Sequence, residues 1–246
     1  PRKHFVEQIC ANPTHVFDLI QVYLRKNGKA FKPDIIFEYN KSKPSAVTLT
    51  FVLPEGKSIS LHQNEPVFVA AIFAETQKQK KAFFQNTRIR RQEDLGSGEV
   101  SYVLSLKGIK TNGVRSEYQF PFNEPTEALH LMVHYGADKV VHKTRFVQKN
   151  VPIAGKPRVL ELDRFHGPHE GIYKLEIEHL QRSDFITPSD WQLFAKKEVT
   201  EEKRWRTSSL ATPDPNIINA LKDHMKNLSS PYTHIKKLGD NRGRGL

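Results

Sequence analysis

The chain has 246 residues, room for one large domain or two small ones, and is 37% hydrophobic and 10% aromatic. Lysine and arginine number 38 against 27 aspartate and glutamate, a formal charge of +11 that favours polyanionic partners such as nucleic acid or polyphosphate. One cysteine excludes an internal disulfide framework and a cysteine-rich zinc site, and no apolar run reaches the length of a membrane span.

The opening stretch PRKHFVEQICANP holds no apolar run of signal-peptide length, so the expectation is a cytoplasmic protein with no membrane partner. Residues 13–27 predict a helix, with Val16, Leu19, Ile20, Tyr23 and Leu24 at helical spacing and Gly28 as its stop. From Asp34 the period shortens. Segments 34–39, 46–53, 67–74, 100–107, 114–122, 140–147, 158–165 and 172–179 are rich in Val, Ile, Phe and Tyr and predict strands. About eight strands with few helices between them predict a mainly β (α+β) fold, a closed eight-stranded antiparallel barrel with peripheral helices. Helices are expected over 124–137 and 215–228, followed by a flexible basic tail. The division expected is an N-terminal extension over 1–45, a barrel domain over 46–212, and a C-terminal helix and tail over 213–246.

Charges sit in an unusual place, inside the strands at alternate positions. Arg88 and Arg90 flank Ile89, Lys107 closes LSLK, and Arg115, Glu117 and Gln119 share a face of RSEYQF. Lys143 and Arg145 share a face in HKTRF, Glu161 and Asp163 in LELDRF, and Glu176 and Glu178 in KLEIEH. An outer, solvated sheet face accounts for one such strand. Six of them fit a closed barrel with a charged lumen, because interior positions alternate along every strand. Cations lining such a bore need acidic partners or a bound polyanion.

Taken in order, RIR, LSLKG, RSEYQF, HKTRF, LELDRFHGPHEGIYKLEIEH and EVTEEKRWRTSSLA resemble the CYTH family, the triphosphate tunnel metalloenzymes, over about residues 66–212. That resemblance implies a charged tunnel in which Arg88, Arg90, Lys107, Arg115, Lys143 and Arg145 hold phosphate oxygens. It also implies acids at Glu117, Glu161, Asp163, Glu176 and Glu178, the later ones helping to hold a divalent cation that bridges phosphates. The family's first strand carries Glu-x-Glu-x-Lys. AVTLTFVL, which fits by position, offers Ala46, Thr48 and Thr50 instead, while Glu38 and Lys41 of IIFEYNKSK do not reproduce the spacing.

With phosphate-gripping cations kept and metal-holding anions lost, the leading expectation is a non-catalytic or catalytically weakened protein that binds RNA or another phosphate-rich polyanion. Lys78, Lys80, Lys81 and Arg91 would steer from outside, and no cofactor is expected. The alternative is a metal-dependent triphosphate hydrolase using Glu161, Asp163, Glu176 and Glu178 with Mg²⁺ or Mn²⁺. Among eleven histidines, His166 and His169 read as turn-surface residues without further local ligands, and His130 and His134 as a helix face. No serine elbow, phosphate loop or dinucleotide fingerprint occurs.

Overall fold

The computed structural model describes residues 3–26, 29–30, 34–39, 47–52, 58–63, 87–111, 114–178, 192, 199 and 202–229. In chain order these form α1 (Lys3–Ala11), β1 (His15–Tyr23), β2 (Arg25–Lys26), β3 (Lys29–Ala30), β4 (Asp34–Tyr39), β5 (Val47–Val52) and β6 (Ser58–Gln63). There follow β7 (Arg88–Asp94), β8 (Val100–Thr111), β9 (Val114–Pro121), α2 (Pro125–Tyr135), β10 (Val140–Ile153), β11 (Lys156–Phe165) and β12 (Tyr173–Ile177). The short helix α3 (Thr207–Leu210) and the longer α4 (Pro215–Ser229) complete the described chain. The expected strand at 67–74 and the basic run through Lys78, Lys80 and Lys81 lie outside the described residues, as does the tail beyond 229.

The main sheet has seven strands in the order β12-β11-β10-β1-β7-β8-β9, and every pairing is antiparallel. This corrects the expected closed eight-stranded barrel: the sheet is a curled, open half-barrel whose edges, among the described residues, are β9 and β12. The reason lies in β5. The segment expected to open the barrel pairs instead with its sequence neighbours, giving a separate three-stranded sheet β4-β5-β6.

The expected helix at 13–27 is a strand, and it holds the centre of the sheet. β1 pairs with β7 on one side and β10 on the other, with Leu19 opposite both Gln92 and Lys143. Val16, Ile20, Val22 and Tyr23 are β-branched or aromatic, residues that suit a pleated surface with neighbours on both sides. Helices α2 and α4 match expectation, while α1 went unanticipated. The β10–β11 hairpin closes through Ala154 and Gly155, with φ of 51° and 72°. Positive φ at both positions gives a turn whose twist matches that of the flanking strands.

Alternation gives the sheet two unlike faces. On one, Ile20, Val22, Ile89, Leu104, Leu106, Tyr118 and Phe120 pack beneath Leu129, Met132 and Val133 of α2 and Ile218 and Leu221 of α4. Further along the same face, Phe146, Leu160 and Leu162 pack with Phe5 and Ile9 of α1. The other face carries the strand-borne charges. It is closed at one end by Tyr23, Val141 and Phe165, which meet Leu210 and Ala211.

Gly136 ends α2 against β1. A Cβ there would lie 1.6 Å from Val22 Cγ1 and 2.8 Å from the Met132 carbonyl oxygen. Gly136→Ala must therefore push α2 off the sheet. The expected loss is about 1–3 kcal/mol, as for other over-packed sites, read as a lower urea midpoint with an unchanged slope.

Candidate functional site: a trough of paired and unpaired cations

The charged face is built by register. Opposite residues in neighbouring strands point the same way, so Arg145, Asp163 and Lys174 lie in one row, and Glu161 and Glu176 in the next. Across β1, Gln21 stands opposite Arg90, and Tyr23 opposite Arg88, with Ser105 beyond.

Two networks result. In the first, Lys143 Nζ donates to Asp163 Oδ2, and the pair is 1% and 0% exposed. Arg145 grips Asp163 with two bonds, from Nε to Oδ1 at 2.6 Å and from Nη2 to Oδ2 at 2.8 Å, and also reaches Glu161 and Glu176. Lys174 Nζ donates to the other Glu176 oxygen at 2.5 Å. In the second network Glu117 accepts from Arg88 Nη2 at 2.9 Å and from Lys107 at 2.7 Å. Arg88 Nη1 also reaches the side-chain oxygen of the buried Gln21 at 3.5 Å.

Electrostatics follow from burial set against partners. Burial works against Asp163, but Lys143 and Arg145 outweigh it and hold the carboxyl below its usual range. Burial likewise opposes Glu176 and is overcome by Lys174, Lys143 and Arg145. Glu117 is lowered in the same way by Arg88 and Lys107. Lys143, with no exposed surface to solvate it, is pushed down to about 8 despite Asp163. The two directions express one balance, in which pairing keeps the carboxylate charged while burial weakens the ammonium. Lys107 is lowered by burial and Arg88, while Glu117 and, more weakly, Glu176 pull the other way.

Arg90 differs from its neighbours. Its Nε is buried without a hydrogen-bond partner, and burial together with Arg88 and Arg145 lowers its pKa to about 10. Arg88 Nε and the fully buried Ser105 Oγ are also without partners on this face. At the β11–β12 edge, burial and the nearby Glu178, Glu176 and Asp163 push Glu161 up, although Arg145 opposes them. The trough thus offers an underused cation at its middle and crowded carboxylates at its rim.

Of the expected cations, Arg88, Arg90, Lys107, Lys143 and Arg145 face this trough together. Arg115 stands opposite Lys110 in the β9–β8 register, beyond a bulge, and its side chain lies outside the described part. Arg91 points to the other face, where it binds Glu93 at 2.7 Å and stands 3.9 Å from Asp18. Of the expected acids, Glu161, Asp163 and Glu176 converge and Glu178 is exposed at the rim. Sequence reasoning missed Gln21, Tyr23, Ser105 and Lys174. For the first two, the signal was β-branched and aromatic enrichment in HVFDLIQVY; for Lys174, its place at i−2 from Glu176.

A second cluster corrects the reading of His166 as a turn-surface residue. Asp18, His142 and His166 bring three ligand atoms within 4.8 Å of one another, a set able to hold a divalent ion. The three residues come from distant parts of the sequence, so no local spacing announces them. The expectation of a non-catalytic binder, which rested on the loss of metal-holding side chains, loses that ground, because the chain does hold a set of side chains able to take a metal. The strand on which that loss was counted, β5, is not in the main sheet at all.

No protein-family model matches the chain, and no curated protein matches it. Among solved structures it is similar to the crystal structure of the inorganic triphosphatase NE1496, with 19% identity, 82% of this chain and 88% of that chain covered, and a TM-score of 0.38. A second crystal structure, described as the hypothetical protein NE1496, is 20% identical over 80% of this chain and 97% of that one, with a TM-score of 0.31. Among the described residues, no helix is long and apolar enough to cross a membrane.

The acid dependence of stability follows from the lowered carboxylates. As pH falls below their ordinary values of 3.8 for Asp163 and 4.5 for Glu117 and Glu176, the unfolded chain takes up protons that the folded groups refuse. Stability present at neutral pH is therefore lost from about pH 4.5 downward. Lys143 adds a slope of the same sign in a higher window: between its folded value of about 8 and its ordinary 10.5, stability again rises with pH. Asp163→Asn strands the buried Lys143 and leaves Arg145 to Glu161 and Glu176 alone, and we expect about 3–5 kcal/mol of destabilisation and a shallower acid limb when urea midpoints are plotted against pH.

Proposed function

We propose that the trough binds the phosphate chain of a triphosphate and that the protein is a metal-dependent triphosphate hydrolase. The observation that carries this reading is Arg90, a half-buried arginine whose buried Nε lacks a partner, set between two cation networks on one face of a curled sheet. A partly desolvated cation of this kind is stabilised by an anion that supplies several oxygens at close spacing. Arg90, Arg88 and Lys107 would take non-bridging oxygens, each contact fixing the chain's position rather than reading a base. Gln21 and Glu117 hold the Arg88 guanidinium in place, and Asp163 anchors Arg145 and Lys143 beneath the chain.

The donor set at the rim suits the implied cation. Glu161, Glu176 and Glu178 are oxygen ligands of the kind Mg²⁺ and Mn²⁺ prefer, and the crowding that raises Glu161 would be relieved by a dication. When bound there, such an ion would neutralise phosphate charge and polarise the scissile P–O bond. The substrate classes that fit are inorganic triphosphate, a nucleoside triphosphate or an RNA 5′-triphosphate end, all presenting the same three linked phosphates. The free, half-buried Cys10 fits a reducing compartment such as the cytoplasm.

The test is phosphate release from tripolyphosphate by the full chain with Mg²⁺ or Mn²⁺, beside a binding measurement on the same preparation. Release should require the metal and fall at least 100-fold in Glu176→Gln. Arg90→Ala should weaken triphosphate binding about 10- to 100-fold, the worth of one charge-assisted contact of about 1.5–3 kcal/mol. Tight binding with no release under either metal would end the hydrolase reading. Unchanged binding in Arg90→Ala would remove the trough as its site.

A further inference from the structure

The Asp18–His142–His166 cluster lies on the opposite side of the sheet from the trough. Asp18 stands opposite Thr144 and Glu93, one residue out of phase with Lys143 and Arg145, and His142 stands opposite Ile20. Along β1, Asp18 falls between Val16, which packs against the α1 cluster, and Ile20, which belongs to the α2–α4 cluster. The three ligands therefore occupy a polar seam where the apolar packing of this face is interrupted.

We propose that this seam is a zinc site with a structural role, separate from the phosphate trough. The donor set is two imidazoles and one carboxylate, which with a water in the fourth tetrahedral position suits Zn²⁺ and which Mg²⁺, taking oxygen ligands, disfavours. His142 Nε2 and Asp18 Oδ1 are already 2.7 Å apart, and the His142 and His166 rings lie 4.6 Å apart between centroids. Tetrahedral zinc ligands at about 2.0–2.1 Å from the metal sit about 3.3 Å from one another, so modest side-chain rotation converts the hydrogen-bonded cluster into a coordinated one. Thr144 Oγ1, 2.8 Å from His166 Nε2, steadies the second ring against β10.

The surrounding charges are mixed. Arg91 stands 3.9 Å from Asp18 and Arg164 lies near His166, both opposing a dication, while Glu170, 3.5 Å from His166 Nδ1, and Glu93, bound to Arg91, favour it. What the ion would join explains its use. Asp18 is on β1, His142 on β10, and His166 opens the turn after β11, whose His169 donates to the Leu210 carbonyl. Leu210 is one of the residues that close the end of the trough. A metal at the seam thus fastens three distant segments and, through the turn, the segment that closes the site.

This proposal stands independently of hydrolysis and is tested without it. Chelator-stripped full-length chain is titrated with Zn²⁺ by calorimetry and with Co²⁺ by visible absorption, and thermal melting is followed with each metal. One Zn²⁺ per chain is expected, with a raised melting temperature, a Co²⁺ band typical of nitrogen and oxygen ligands, and no displacement by millimolar Mg²⁺. His166→Ala and the isosteric Asp18→Asn should each weaken Zn²⁺ at least 10-fold, and Asp18→Asn serves alone if His166→Ala fails to fold by circular dichroism. The double variant His130→Ala/His134→Ala, on α2, should bind zinc as before. No stoichiometric Zn²⁺ in the unaltered chain, equal binding in Asp18→Asn, or loss of binding only in the α2 variant would overturn the assignment.

Discussion

Asp163 has no exposed surface, and two cations from the neighbouring strand converge on it. Such a cluster contributes little net stability, because desolvating three charges costs about as much as their attraction returns. Its importance is that it admits one arrangement of the strands. Sliding β11 by a single residue against β10 would turn Asp163 towards Phe5, Ile9 and Phe146 and bring Leu162 to face Lys143 and Arg145. An unpaired buried charge and a wasted apolar side chain would arise together. The register of β11 against β10 is fixed by that penalty, and this flank of the trough inherits its geometry from the register.

Around this fixed centre the charges are unequally satisfied. The Lys143–Asp163–Arg145 network leaves little for a ligand to take, whereas Arg90 and the nitrogens and hydroxyl beside it keep unused capacity. Satisfied and underused cations therefore differ in partners and not in residue type. Arg145, with burial outweighed by Asp163, Glu176 and Glu161, has its pKa raised; Arg90, with like charges on both sides, has its pKa lowered and stays charged at neutral pH. A site built this way is preorganised at its base and adaptable at its middle and rim, where Glu161 and Glu176 can exchange a cationic partner for another.

The paired charges at i and i+2 were legible in the sequence because a strand's period of two is unambiguous when charges repeat it. They placed Arg88, Arg90, Lys143, Arg145, Glu161, Asp163 and Glu176 on one face before any fold was known. Helices α2 and α4 were equally plain, each opening at proline with a consistent apolar stripe. β1 was not legible. Val16, Leu19, Ile20, Tyr23 and Leu24 satisfy a helical period, and only pairing with β7 and β10 resolves the ambiguity. Closure of the barrel was inferred from the number of strands, which says nothing about whether a strand pairs with the sheet or with its own neighbours. The Asp18–His142–His166 seam was invisible for a related reason, since its members meet only after β1 and β10 are in register.

β1 is made early and used late. Its partners, residues 88–94 and 140–153, follow it by some 65 and more than 115 positions in the chain. During synthesis on a ribosome, therefore, the strand destined for the middle of the sheet must wait with both edges bare while the meander β4-β5-β6 can assemble from local hairpins. Contacts of such long sequence separation slow folding and leave an apolar, β-prone segment open to wrong partners in the meantime. Asp18 and Gln21, one on each face of that strand, break its apolar run, a pattern that lowers the tendency of a bare strand to pair with strangers.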